Sequence, residues 1–142
     1  MDFGYEITIP MEDEAEHIGN MLLQFNLESK PLTQEKPFIS INRCIKDENG
    51  EIIGGILACS ALWHVLSIDT LWVKKEFRNR GIAKQLLSVV EDKARSMGCH
   101  IAYLSTYDFQ AKDFYLKNGY EIFGVLEDCP KGHRLYHLSK KL

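Results

Sequence analysis

Apolar and polar positions recur along the chain with two different periods, and each period predicts one type of element. Residues 5–9 alternate between apolar and polar types up to Pro10, which predicts a first strand. A helix is predicted next, because the acidic residues at 12–16 suit the positive end of a helix dipole. Apolar residues then recur over 18–25 at helical spacing, which gives that helix one apolar face.

The middle of the chain predicts a hairpin followed by a buried strand. Residues 38–45 and 51–63 read as its two arms, because the Asp-Glu-Asn-Gly turn at 47–50 readily adopts positive φ. The glycine pair at 54–55 indicates a bulge or a close approach by another group. The apolar run 65–73 predicts a buried strand directly afterwards.

A short basic connection follows that strand and ends at Gly81, where an amphipathic helix is predicted over 82–97. The start of a helix leaves N–H groups without intrahelical partners and is partly positive, so it binds phosphate without a special side chain. Gly81 has no Cβ and lets a phosphate oxygen approach the backbone, while Arg78, Arg80 and Lys84 add positive charge. The segment predicts a pyrophosphate site, although a solvated basic loop explains the pattern equally well when it is taken alone.

The last third of the chain completes a mixed sheet. Residues 101–104 predict a short strand, which a helical crossover makes parallel to the preceding one. A second helix is predicted over 109–118 with Asp108 as its cap, and residues 120–126 and 134–138 predict two closing strands. The order β-α-β-β-β-α-β-α-β-β predicts an α/β (α+β) fold, and the length of 142 residues predicts a single domain.

Composition excludes several classes of protein. Charged residues make up 26% and hydrophobic residues 45%, as in ordinary soluble domains, and a net charge of −3 argues against nucleic-acid binding as the main activity. We expect no signal peptide, no membrane partner and a cytoplasmic location. No CxxC pair occurs, so we expect neither a metal site nor disulfides, but buried free thiols at four positions. These are Cys44, Cys59, Cys99 and Cys129.

Two motifs follow each other at a defined spacing. They read Arg78-x-x-Gly81-x-Ala83 and Ala111-x-x-Phe114-Tyr115-x-x-x-Gly119-Tyr120. Neither the P-loop pattern G-x-x-x-x-G-K-[ST] nor the dinucleotide pattern G-x-G-x-x-G occurs. Together the two motifs resemble the GCN5-related N-acetyltransferase (GNAT) superfamily, by motif over residues 50–125 and by predicted element order over the whole chain. The resemblance implies a mostly antiparallel sheet with one central parallel pair of strands and helices on both faces.

The resemblance also implies acetyl-CoA as the acyl donor, with CoA as a product, bound between the parallel strands 65–73 and 101–106. The main chain of Leu71 and Val73 would pair with the pantetheine arm, and the Leu71 amide would help to polarise the acetyl carbonyl. Backbone amides from Arg78 to Ala83 would hold the pyrophosphate. The implied cofactor-binding residues are Leu71, Trp72, Val73, Arg78, Asn79, Arg80, Gly81, Ile82, Ala83, Lys84, Gln110 and Phe114.

Two residues are candidates for the chemistry. Tyr115 matches the tyrosine that relatives place near the thioester sulfur, where a phenol can protonate the leaving thiolate; the alternative is a core aromatic that only packs. Asp69 interrupts an apolar strand, which is unusual unless it faces a polar cleft, so it is the first candidate for the base that deprotonates the acceptor amine. An equal alternative is that Asp69 is a structural carboxylate. His64 and Glu127 are weaker candidates for the base.

The chain departs from the family pattern at Asp108, where many relatives carry an asparagine that bonds the pantetheine. An ionised carboxylate cannot donate that hydrogen bond. Either Gln110 substitutes, or Asp108 serves only as a helix cap. Lys112 and Lys117 could contact the CoA phosphates, but solvation is the simpler expectation for both.

The resemblance implies an N-acetyltransferase that moves an acetyl group directly to a primary amine in a ternary complex. No cysteine has an evident base partner, which agrees with a mechanism without an acyl-enzyme. The acceptor would be a small-molecule or peptide amine, and a homodimer is compatible with the resemblance. Two alternatives stay open: a non-catalytic acyl-CoA sensor, and transfer of a longer acyl group.

Overall fold

The structure is a computed structural model that describes residues 4–142. Contacts divide the chain into two compact units, one ending at Leu32 and the other spanning Thr33–Leu142. The first unit contains the predicted helix, α1, at Glu12–Ser29, where the Met11 amide donates to Glu14 Oε1 at 2.8 Å. The predicted single domain stays a prediction.

The predicted strand at residues 5–9 is wrong. These residues form no regular element, and Tyr5, Ile7 and Ile9 are exposed to 88%, 101% and 94%. Alternation produces a strand only where a neighbouring strand supplies ladder hydrogen bonds. In residues 4–142, no strand of the sheet includes this segment.

The second unit is built on one mixed sheet, and the predicted fold class is confirmed. Only the central pair β4 and β5 is parallel, and the order across the sheet is β1-β3-β4-β5-β7-β6, with β2 also paired to β3. Two α-helices and a short 3-10 helix at Lys75–Phe77 accompany it. No helix in the described part of the chain is long and apolar enough to cross a membrane. The elements are β1 Phe38–Ser40, β2 Arg43–Lys46, β3 Ile52–Ala61, β4 Val65–Val73, α2 Ile82–Ser96, β5 Ile101–Tyr107, α3 Lys112–Lys117, β6 Glu121–Glu127 and β7 Arg134–Lys141.

The first arm of the predicted hairpin is split into β1 and β2. The break places Ile41 in the core at 1% exposure, and its amide donates to Ala58 O at 2.8 Å. The Asn42 side chain accepts from the Ala58 amide at 3.0 Å, which replaces the lost ladder bond. The glycine pair predicted to allow a close approach does so, because a Cβ at Gly54 would lie 3.3 Å from Ile82 Cγ2 on α2.

Between the paired positions, β4 contains one residue more than its partner strand β3. Ala58 pairs with Ile68 and Leu57 pairs with Thr70, so Asp69 has no counterpart on β3. An extra residue of this kind is a β-bulge, which bends the strand and increases its local twist. The bulge therefore falls in the middle of β4, one of the two strands of the parallel pair.

The parallel pair separates soon after it begins. β4 and β5 are in register only at Val65–Ile101, Leu66–Ala102 and Ser67–Tyr103. Beyond this point β5 stays paired to β7 along its whole length, while β4 stays paired to β3. The two strands thus diverge, and the opening between them beyond Ser67 and Tyr103 is called the fork below.

A buried polar cluster links α2, the α3–β6 turn and β7. Tyr120 Oη donates to Glu91 Oε2 at 2.8 Å, and Lys140 Nζ donates to Glu91 Oε1 at 3.0 Å and to Asn118 O at 2.9 Å. Burial, aided by the Glu91 carboxylate, raises the pKa of Tyr120. The cluster holds the end of α3 against the core.

Candidate active site

The fork opens into a cleft of about 1010 Å³. Its walls come from the second half of β4, the turn before α2, the end of β5 and α3. No cluster of three or more metal-ligating side chains occurs anywhere in residues 4–142. Of the residues implied to bind the cofactor, the cleft is lined by Leu71, Trp72, Val73, Arg78, Asn79, Gly81, Ile82, Ala83, Lys84, Gln110 and Phe114, and it is also lined by Asp69 and Tyr115.

The start of α2 presents backbone N–H groups to the cleft. Asn79 and Gly81 both have positive φ, at 62° and 79°, and the first amide to bond along the helix is that of Gln85, to Gly81 O at 3.0 Å. The amides of residues 82–84 therefore have no partner within the described chain. A Cβ placed on Gly81 would meet no atom within 4 Å, so the space above this backbone is empty. The turn can accept an anion there.

The basic side chains around this turn are not equivalent. Arg78 lines the cleft, and its Nε donates to Val73 O at 3.0 Å, which ties the guanidinium to the end of β4. Arg80 does not line the cleft; its guanidinium lies 5.2 Å from the centre of the Phe77 ring. Lys84 lines the cleft, as do the two lysines of α3 for which the sequence favoured solvation.

Tyr115 lies in the core with its hydroxyl at the wall of the cleft. The residue is 5% exposed, and burial raises the pKa of Tyr115 to about 12. Its ring packs edge-on against Phe114 and Tyr120, with centroids 5.2 and 5.6 Å away. No buried side-chain oxygen among the described residues lacks a hydrogen-bond partner, and no partner is found for this hydroxyl within residues 4–142, so it must reach the accessible cleft surface.

Asp69 faces the cleft because it is the bulge residue of β4. Its side chain is exposed, and Ser67 Oγ donates to Oδ1 at a long 3.4 Å. The two weaker base candidates lie outside the cleft lining. His64 Nδ1 is 2.8 Å from Thr33 Oγ1, and Glu127 accepts from Arg134 Nε at 3.0 Å.

The predicted cap role of Asp108 is wrong. α3 begins at Lys112 with Ala111 in the N-cap position and without a side-chain cap. Asp108 Oδ1 instead lies 2.9 Å from His133 Nδ1, and Oδ2 accepts from the Arg134 amide at 3.0 Å. The His133 hydrogen bond is the main reason why the pKa of Asp108 is lowered. The carboxylate therefore ties the β6–β7 turn to the end of β5.

Gln110 is oriented by its carbonyl oxygen. Oε1 accepts from the Tyr107 amide at 2.8 Å and from Thr106 Oγ1 at 3.3 Å. The side-chain NH₂ group has no bond to another described residue and belongs to the cleft wall. Gln110 can therefore supply the donor that an ionised Asp108 cannot.

Sequence reasoning missed one pair of residues at the fork. Ser105 of β5 lines the cleft, and its Oγ lies 2.8 Å from His137 Nδ1 on β7. The alternation of residue types over 101–107 could have indicated that Ser105 lies on the exposed face of the sheet. Burial of 102, 104 and 106 places Tyr103, Ser105 and Tyr107 on the other face of the sheet.

A mixed sheet that divides between two parallel strands, with unpartnered helix amides at its open end and a phenol on its wall, is the arrangement implied for acyltransferases of the GNAT type. Comparison with known proteins agrees with this class. Residues 5–120 match the Acetyltransferase (GNAT) family, and the chain belongs to that family.

Individual relatives extend this result. The chain is 32% identical over 117 residues to blasticidin-S acetyltransferase of Streptomyces morookaense, covering 82% of this chain and 85% of that protein. The crystal structure of an acetyltransferase from Bacillus cereus superposes with a TM-score of 0.90 at 36% identity, covering 99% of this chain and 100% of the other. A putative streptothricin acetyltransferase from Bacillus anthracis, solved with acetyl coenzyme A, shares the fold with a TM-score of 0.65 at 21% identity, covering 76% and 65% of the chains.

Proposed function

We propose that this protein is an acetyl-CoA-dependent N-acetyltransferase that moves the acetyl group directly to a primary amine. The observation that carries the proposal is the cleft at the fork, because it joins the unpartnered amides after Gly81 to the hydroxyl of Tyr115. Family membership supports the same activity. The chain would act as one domain.

The cofactor would be anchored at its diphosphate. Amides at the start of α2 would donate to the phosphate oxygens, with Arg78 and Lys84 beside them. The pantetheine arm would run into the fork, where the main chain of Leu71 and Val73 would take the place of the missing strand partner. The NH₂ group of Gln110 would donate to a pantetheine carbonyl.

The reaction would then proceed without a covalent enzyme intermediate, since no cysteine of the described chain lines the cleft. The amine would give up a proton to Asp69 and attack the acetyl carbonyl, whose oxygen accepts from the Leu71 amide. Tyr115 would donate its proton to the departing sulfur. The burial that raises the pKa of Tyr115 would act on the neighbouring thiolate too, which keeps the two groups matched for proton transfer.

We propose a small molecule as the acceptor. The similarity to blasticidin-S acetyltransferase over most of both chains supports this class of substrate. The carboxylate of Asp69 at the fork would attract a cationic amine.

The proposal is tested by incubating the purified protein with acetyl-CoA and a panel of primary amines that includes blasticidin S, spermidine and kanamycin. We expect release of free thiol that depends on one acceptor, with a mass increase of that acceptor by one acetyl group. The same acceptor already acetylated on its amine is the control and should release none. Tight CoA binding without turnover of any amine would contradict the enzyme and favour the sensor alternative.

A further inference from the structure

We propose that Ser105 and His137 form a proton relay that removes the second of the two protons which the acceptor nitrogen must lose. The inference rests on the proposed transferase function and adds two residues to it. Ser105 would touch the acceptor, and His137 would act through Ser105.

The relay is assembled in the structure. Ser105 Oγ and His137 Nδ1 are 2.8 Å apart, and the two residues face each other in the β5–β7 register. Gly124 on β6 lies opposite His137, and a Cβ there would come within 3.5 Å of the imidazole Cδ2. The Phe123 ring lies 6.0 Å from the imidazole on the β6 side. These neighbours hold the ring against Ser105.

Register places the relay beside the fork. The last paired residues of the parallel strands are Ser67 and Tyr103. Two positions further along each strand come Asp69 and Ser105, and both line the cleft. A nucleophile that enters the fork between these two strands therefore passes between a carboxylate on one arm and a hydroxyl on the other.

The acid proposed for the sulfur lies on the opposite side of the sheet. Tyr115 belongs to the core cluster that contains Leu104 of β5 and the buried residues of α2. Ser105 follows Leu104 directly and therefore points to the other face. A thioester in the fork would have its proton donor on one face and its proton acceptors on the other, so that the amine and the leaving thiol do not compete for the same groups.

The proton balance requires two acceptors. An ammonium R–NH₃⁺ that becomes an amide R–NH–CO–CH₃ loses two protons. The first would go to Asp69 before attack. After the N–C bond forms, the nitrogen carries a positive charge and is acidic. One of its N–H bonds then breaks, and that proton is transferred to Ser105 Oγ. The proton of the original Ser105 hydroxyl passes at the same time to His137 Nδ1. When CoA leaves as thiol with the proton of Tyr115, one of the two removed protons restores that phenol and the other goes to water.

Titratable groups from three strands share the face of the sheet on which His137 lies. From β5 the same face carries Tyr103 and Tyr107, and across the fork it carries Asp69. From β6 it carries Glu121, which pairs with Ser139, two residues from His137.

The kinetic test compares the wild type with Ser105→Ala and His137→Gln, using the acceptor from the amine panel that the wild type acetylates fastest. Glutamine still accepts a hydrogen bond from Ser105 but takes no proton. We expect kcat to fall about 100-fold in both variants. The acid limb of kcat/KM, expected between about pH 5 and 8 where imidazoles change charge, should be lost in His137→Gln.

The chain offers a matched control for loss of a hydroxyl. Thr33 Oγ1 also lies 2.8 Å from a histidine Nδ1, that of His64, but neither residue lines the cleft. Thr33→Ala should keep the wild-type rate and pH profile. Rates within about twofold of wild type in both relay variants, with an unchanged acid limb, would overturn the relay. The same conclusion would follow if only Asp69→Asn removed that limb.

A second measurement needs no acceptor and no variant to be active. The relay requires His137 to be in the Nε2–H tautomer, so that Nδ1 accepts from Ser105. Nitrogen-15 NMR of the histidine rings in the wild-type protein should show this tautomer, with the signal assigned by its loss in His137→Gln. The Nδ1–H tautomer would overturn the relay even if the transferase is active. A wild type that acetylates none of the amines would overturn the proposed function and the relay with it.

Discussion

The substitution Gly81→Val tests the proposed anchor of the cofactor directly. Gly81 has φ 79°, and a Cβ at this position would meet no atom within 4 Å. The strain of a left-handed backbone costs about 1 to 2 kcal/mol for a residue with a side chain, so the folded state should persist without any clash. The new side chain would, however, fill open space next to the unpartnered amides of residues 82–84, where the proposed diphosphate would bind.

The effect on binding follows from the bonds that would be lost. A hydrogen bond to a charged group contributes about 1.5 to 3 kcal/mol, so the loss of two amide–phosphate bonds predicts a loss of about 3 to 6 kcal/mol. At about 1.4 kcal/mol per tenfold change, this is a Kd for CoA at least about 100-fold higher. Isothermal titration calorimetry with CoA measures the change.

Gly50 provides the matched control. It has φ 82°, a Cβ there would also meet no atom within 4 Å, and it lies in the hairpin turn outside the cleft lining. Gly50→Val should lower the free energy of unfolding by a similar amount and leave CoA affinity unchanged. Retained affinity in Gly81→Val, or an equal loss of affinity in both variants, would refute the reasoning.

Four further outcomes are expected. Tyr115→Phe should lower kcat about 100-fold, because it removes the proposed proton donor for the sulfur and keeps the ring. Asp69→Asn should flatten the lower part of the pH–rate profile, below the range assigned to His137, since an amide takes no proton. Lys140→Met should lower the free energy of unfolding by about 3 kcal/mol in urea titrations, because Glu91 stays buried at 7% side-chain exposure without its cation. Burial raises the pKa of Tyr115 to about 12 and that of Tyr120 as well, so stability should fall as the pH rises above about 10, where the unfolded chain has lost tyrosine protons that the folded chain retains.

Each of these four outcomes has its own check. An unchanged kcat in Tyr115→Phe would reduce that residue to packing, and an unaltered profile in Asp69→Asn would remove the base assignment. Lys141→Met, at the exposed neighbouring position, is the control for Lys140 and should melt like wild type. Tyr120→Phe should flatten part of the decline in alkaline stability; the same decline in that variant would contradict the assignment.

Element types were largely predictable because the apolar periods are long and clear. The predicted strand at residues 65–73 and the helix beginning at residue 82 coincide with β4 and α2. The first motif likewise placed Gly81 at the start of that helix. These features depend on local chain preference, which sequence reports well.

The wrong secondary-structure predictions concern segments whose conformation depends on contacts with another strand or with the core. Residues 5–9 alternate as a strand should, yet no ladder bonds are available to them within residues 4–142. β1 and β2 are separated because Ile41 is drawn into the core, which no local pattern reveals. The helix predicted from residue 109 starts at Lys112, and Asp108, its predicted cap, bonds instead to His133 and Arg134, which are distant in sequence.

The site was predicted in part for the same reason. A motif carries the positions of Gly81 and Tyr115, but it carries no information on which strands separate or which faces meet. The Ser105–His137 pair joins residues 32 apart in sequence and becomes visible only once β5 and β7 are aligned. Asp69 was singled out as unusual, whereas the bulge that turns it to the cleft is a property of two strands together.

The surplus residue in β4 has a consequence for how such a site can change. If position 69 were deleted, Ile68 and Thr70 would become consecutive, as their partners Ala58 and Leu57 already are. The side chain at position 69 is exposed and does not pack in the hydrophobic core. Selection could therefore place a polar group such as a carboxylate at this position of the cleft wall without repacking the core beneath it.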